Sequence, residues 1–133
     1  MHAGITLAAE FGELPKLAAW VEAQAASFGL DARELYAMQL CLEEVAVNLV
    51  LHGRAETGAA VRFTVALEDA PLRVTVEDDG VAFDPTLALA AMPAPTLETV
   101  PEGGLGLKLV NGFTSRRDYA RIAGRNRLTL EFR

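Results

Sequence analysis

The apolar positions of this chain change their period several times, and each change marks an element. Residues 4–9 read as a short strand. Over residues 13–28 the positions Leu17, Trp20, Val21 and Phe28 follow a helical spacing, and Gly29 supplies the stop. Asp31 and Glu34 then form an N-cap pair, opening a second helix that runs to about His52 and ends at Gly53. Period two returns at Val61, Phe63, Val65 and Leu67, and again at Leu72, Val74 and Val76. The intervening Glu68-Asp69-Ala70-Pro71 predicts a hairpin.

Residues 81–102 break the pattern with Pro85, Pro93, Pro95 and Pro101. A short helix over residues 86–91 fits inside this stretch, but the whole exceeds the ~12–15 residues of an ordinary connection, and segments of that length are often lids or binding loops. Gly103-Gly104-Leu105-Gly106 follows and opens a helix through Leu109, Val110 and Phe113. Residues 118–122 and 126–132 read as a closing hairpin around Gly124. The order β-α-α-β-β-loop-α-β-β has no internal repeat. It predicts one α+β domain over residues 1–133, with helices on one face of an antiparallel or mixed sheet.

Composition narrows the function. With 51% hydrophobic and 23% charged residues in 133, the chain can bury a core, and disorder is not expected. A net charge of −6 is the wrong sign for a protein that neutralises phosphates, so no direct nucleic-acid partner is expected. Cys41 is the single cysteine, and His2 and His52 are the only histidines; a disulfide within the chain and a Cys/His zinc site are both excluded. The first residues lack the basic and apolar regions of a signal peptide, and no apolar run reaches the ~18 residues of a membrane span. A cytoplasmic protein with no membrane partner is the expectation.

The second helix carries two stripes. Leu35, Met38, Leu42, Val45 and Leu49 make a core-facing row, and Glu44, Asn48 and His52 make a polar one about 100° away. Oxygen-bearing side chains one turn apart can address one ligand, although a solvated face has the same pattern. Asp78 is a sharper anomaly, because it lies in phase with Leu72, Val74 and Val76. A carboxylate on a core face is costly unless paired. Either it is a buried acceptor, or the strand frays there and Asp79-Gly80 begins a turn toward solvent. The glycines at 103, 104 and 106 offer free backbone N–H groups at a helix start, a natural phosphate cradle. Neither G-x-G-x-x-G nor G-x-x-x-x-G-K-[ST] occurs, so the Rossmann and Walker readings fail.

Taken in order, Glu44-x-x-x-Asn48, Asp78-x-Gly80 and Gly104-x-Gly106-Leu107 have the succession of the N, G1 and G2 boxes. In this the chain resembles the GHKL ATP-binding superfamily. Within it, the chain is most similar to the stand-alone anti-sigma factor serine/threonine kinases of bacteria. The resemblance implies the Bergerat fold, a two-layer α/β sandwich with a mixed, mostly antiparallel sheet. It implies that Asn48 holds the Mg²⁺ bridging the ATP phosphates and that Glu44 orients or deprotonates the attacking hydroxyl. Asp78 would accept from the adenine amino group, and Gly80 would let backbone or an ordered water approach the base. The amides of Gly104, Leu105, Gly106 and Leu107 would hold the phosphates beneath a lid at residues 81–102. His52 would either approach the phosphates or simply face the negative helix end.

Some positions depart from the family pattern. Ala82 stands where a second glycine is usual in the nucleotide-binding turn, and Thr129 is out of phase with Leu128, Leu130 and Phe132, so no adenine contact is carried onto it. The segment Thr114-Ser115-Arg116-Arg117-Asp118 replaces an acidic, apolar one. The implied function is a homodimeric kinase that sequesters a sigma factor and phosphorylates a serine of an anti-anti-sigma STAS-domain protein. The alternative is a nucleotide-binding regulator of the same fold without phosphotransfer. A histidine-kinase catalytic domain would serve a helix bearing a phosphoacceptor histidine, and these residues contain no such segment.

Overall fold

Helix ends in this protein are set by local chemistry that the sequence already shows. The computed structural model describes residues 1–53, 58, 61–84, 110 and 112–132. Strand β1 (His2–Ala8) leads through a 3-10 turn at Phe11–Glu13 into α1 (Leu14–Phe28). Pro15 sits in the first turn of α1, where its missing N–H costs no helical bond. The helix stops at Gly29, whose φ of 64° is a left-handed conformation that favours glycine. Helix α2 (Ala32–His52) begins with a reciprocal capping box. Asp31 Oδ1 accepts from the Glu34 N–H at 2.8 Å, and Glu34 Oε1 accepts from the Asp31 N–H at 3.1 Å.

Four strands follow: β2 (Arg62–Glu68), β3 (Arg73–Asp78), β4 (Thr114–Ile122) and β5 (Arg125–Phe132). With β1 they form a five-stranded sheet in the order β1-β2-β3-β5-β4. Every pairing is antiparallel, the simpler of the two sheet types expected. The β4–β5 turn places Ala123 and Gly124 at φ of 51° and 76°, two left-handed residues in succession. Such a two-residue loop matches the natural twist of the strands it joins. Strand β4 begins at Thr114, four residues before the expected start at 118, and has a register irregularity between Thr114 and Arg116. Its arginines hid it, because an edge strand needs no apolar alternation.

One face of the sheet carries Phe63, Val65, Leu67, Val74, Val76, Leu128, Leu130 and Phe132 into a core shared with Leu17, Val21, Met38 and Leu42 of the helices. The buried rows of α2 are wider than the expected stripe. Met38 and Leu42 are buried, Leu35, Val45 and Leu49 only partly so, and Ala37, Cys41 and Ala46 complete the contact. These smaller side chains allow closer approach of the helix to the sheet. The other face of the sheet is polar. Thr6 and Thr64 share a hydroxyl hydrogen bond of 2.9 Å, and Arg73 reaches both Glu68 and Glu131 at 3.3 Å. Arg127 pairs with Glu77 at 2.6 Å and Arg116 with Asp118 at 2.7 Å, around a groove of about 480 Å³. Thr129 lies on this outer face opposite Thr75, as its phase required.

Val110, Gly112 and Phe113 have helical backbone. Residues 85–102 of the expected lid, the glycine cluster with Gly104, Leu105, Gly106 and Leu107, and the expected helix start all lie outside the described residues. Among the described residues, no helix is long and apolar enough to cross a membrane.

Two consequences are measurable. Asp31→Ala removes one side of the capping box and is expected to lower unfolding free energy by about 1 kcal/mol in urea titration. The thiol of Cys41 is fully buried, and burial pushes its pKa up to about 12. A thiol-reactive disulfide reagent should therefore leave the native protein unlabelled and react once per chain in denaturant.

Candidate functional site

The alternation that buries Val74 and Val76 continues to the last residue of β3, where Asp78 is only 7% exposed. It does not fray outward. Directly opposite in the register lies Asn126, the second residue of β5, only 6% exposed. Two polar side chains thus face the core side of the sheet together, and each makes the burial of the other tolerable. Asp78 Oδ1 accepts from Asn126 Nδ2 at 2.9 Å and from the Gly80 backbone N–H at 2.9 Å. Asp78 Oδ2 has no protein partner among the described residues.

Asn126 uses its whole hydrogen-bonding capacity. Nδ2 also donates to the Val81 carbonyl at 2.8 Å. Oδ1 accepts from the Phe83 N–H at 3.3 Å and from the Tyr119 hydroxyl at 2.5 Å. The turn following Asp78 is held from two further sides. Arg121 donates to the Gly80 carbonyl at 2.7 Å, and Asp79 Oδ1 accepts from the Arg62 N–H at 2.8 Å. Ala82 is exposed and its φ is not positive, so the methyl group that replaces the family's glycine meets no backbone penalty here.

Glu44 and Asn48 lie one turn apart on α2, both half-buried. They continue the row that begins with the buried Ala37 and Cys41, at spacings of 4, 3 and 4 residues. That placement explains the Glu44 carboxyl, whose pKa is raised by desolvation and then by the neighbouring Glu43. Neither side chain hydrogen-bonds to the protein among the described residues, and no hydrogen bond links them to the Asp78 cluster. His52 is exposed in the last turn of α2, where a basic side chain complements the helix dipole. Among the described residues, no three His, Cys, Asp or Glu side chains gather as a metal cage.

Asn126, Tyr119 and Arg121 were not among the residues that the sequence pointed to. Asn126 had left a signal, since it is in phase with Leu128, Leu130 and Phe132 and so marks a polar group on a core face. Tyr119 and Arg121 had none, because only the β4–β5 register brings them beside Leu128 and Asn126.

Residues 7–132 match the histidine kinase-like ATPase domain. The chain belongs to this family. The serine/threonine-protein kinase BtrW of Bordetella bronchiseptica is 33% identical to it over 112 residues, 84% of this chain and 79% of that protein. The family is the GHKL type to which the three boxes pointed, and the antiparallel sheet with two helices is consistent with its α+β architecture. Membership makes this an ATP-binding domain. Asp78 is buried at the end of β3, and Glu44 and Asn48 are half-buried on α2 with no side-chain hydrogen bond among the described residues.

The Glu44 carboxyl has a consequence for stability. The folded protein holds this proton more tightly than the unfolded chain does, so its contribution to stability is full at acid pH and lost as pH rises through the raised folded-state pKa. At neutral pH the whole cost of a partly desolvated charge is present, reduced by its remaining exposure to solvent. Glu44→Gln is expected to raise the thermal midpoint at neutral pH by on the order of 1–2 °C. The gain should shrink as pH falls and vanish at about pH 3, where the carboxyl is protonated in both states.

Proposed function

We propose that the chain is an ATP- and Mg²⁺-dependent serine kinase of the anti-sigma factor type. It sequesters a sigma factor and phosphorylates a serine of an anti-anti-sigma STAS-domain protein, acting as a homodimer. The observation that carries the nucleotide site is the buried Asp78, pinned through Oδ1 and with Oδ2 left as an acceptor. The order of the boxes and the similarity to a protein named as a serine/threonine kinase support the rest.

In this reading Asp78 Oδ2 accepts from the adenine 6-amino group, and Gly80, held by its own N–H to Asp78, keeps the turn clear of a side chain there. Glu44 receives the proton of the acceptor serine as its oxygen bonds to the γ-phosphorus and the bond to the bridging oxygen of ADP breaks. The raised pKa of Glu44 moves it toward the range in which a carboxylate works as a base. The residues fit the cation as well: Asn48 has a side-chain oxygen with no partner among the described residues, the neutral, hard donor that suits Mg²⁺ beside phosphates and water. When bound, Mg²⁺ would neutralise charge on the phosphates.

Titration calorimetry with ATP, with and without Mg²⁺ and with GTP as control, followed by radiolabel transfer to STAS-domain proteins, tests the proposal. Glu44→Gln should leave the ATP dissociation constant within about two-fold and reduce phosphotransfer about 100-fold or more. Asp78→Asn should weaken ATP binding itself by about 10-fold or more. Equal loss of binding in both variants would contradict these roles. Tight ATP binding without transfer to any such protein would favour the regulator that binds without phosphorylating.

A further inference from the structure

The turn after Asp78 is held in place from β4, two strands away in the sheet. Asn126 presents an amide whose two ends are chemically opposite but similar in shape. Its Nδ2 end must face the acceptors Asp78 Oδ1 and Val81 O, and its Oδ1 end must face donors. Rotating the amide by half a turn would set Oδ1 against a carboxylate and a carbonyl. Two donors oppose that rotation. The Phe83 N–H stands at 3.3 Å, near the limit of a useful hydrogen bond, whereas the Tyr119 hydroxyl lies at 2.5 Å. Tyr119 is the closer of the two donors and the only one of them that is a side chain. Arg121, two residues along the same strand, holds the Gly80 carbonyl at 2.7 Å. That holds the C-terminal side of the glycine whose own N–H anchors Asp78 Oδ1.

We infer that Tyr119 and Arg121 are positioning residues for base selection. Through Asn126 and Gly80 they fix the rotation of the Asp78 carboxylate, so that Oδ2 is presented as an acceptor to a purine 6-amino group. The inference rests on the reading of Asp78 as the base-recognising residue. It adds that discrimination between purines is controlled from an edge strand, by side chains that act on Asp78 only through others. A carboxylate free to rotate still accepts hydrogen bonds, but it accepts them in more than one direction. The selective part of the affinity is what suffers.

The test compares ATP with inosine triphosphate, which carries a 6-oxo group in place of the amino group. Calorimetry on the full chain should show the unmodified protein preferring ATP by about ten-fold or more. Tyr119→Phe removes one hydroxyl and keeps the ring. It is expected to weaken ATP by about three- to ten-fold, leave inosine triphosphate within two-fold, and so collapse the ratio. Arg121→Ala provides a second, independent variant with the same expected direction, and thermal melts establish that each variant is folded. Equal weakening of both nucleotides would overturn the inference in favour of general structural support, as would unchanged ATP affinity in both variants. An unmodified protein that binds ATP with no preference over inosine triphosphate would overturn the inference while leaving an ATP site in place. An unmodified protein that binds neither nucleotide would overturn the Asp78 reading itself, and this inference with it.

Discussion

A carboxylate placed on the core face of a sheet has to be satisfied by something that arrives from elsewhere in the chain. Asp78 ends β3 on the same face as Val74 and Val76, and desolvating it alone would cost several kcal/mol. The antiparallel register of β3 and β5 sets Asn126 opposite it, and the amide then gathers Val81, Phe83 and Tyr119 around itself. The geometry of the turn follows from that one pairing. Gly80 is drawn to Asp78 by its N–H and to Arg121 by its carbonyl, so the backbone between the strand and residue 84 has little freedom left.

Helix α2 shows the same tension between burial and function in a milder form. Its buried row begins with Ala37 and Cys41 and continues, at the same helical spacing, into Glu44 and Asn48. A protein selected for stability alone would place apolar residues at both positions. Keeping a carboxylate and an amide there costs some packing, and it yields a partly desolvated acid with a raised pKa. A solvated polar face would have left Glu44 at its ordinary value. The outer face of the sheet makes the contrast plain: there the acids and arginines of β2, β3, β4 and β5 satisfy one another across the groove.

Most of the architecture was legible in the sequence because it depends on local rules. Gly29, the Asp31–Glu34 pair and Gly53 bounded the helices closely, and the alternation of Phe63, Val65 and Leu67 gave β2 within a residue at each end. Strand β4 was half missed, since an edge strand rich in arginine carries no periodic apolar signal. The candidate site was legible as a set of separate anomalies, above all Asp78 in phase with the core. Its support was not. Tyr119 and Arg121 become neighbours of the Asp78 turn only through strand pairing, and pairing is a long-range property that no local pattern encodes.

The 48 residues that separate Asp78 from Asn126 also bear on how the domain is made. Strands β1, β2 and β3 can pair with one another as soon as they leave the ribosome, and they carry much of the apolar face with them. Until β5 emerges, that nascent sheet holds an unpaired carboxylate at one end and lacks the strand that should cover β3. Synthesis of the β4–β5 hairpin therefore does two things at once: it pairs the open edge of β3 and supplies the side-chain hydrogen bond that Asp78 lacks. A truncated chain stopping before residue 126 would contain every residue of the three boxes, yet would lack the partner that makes Asp78 a defined acceptor.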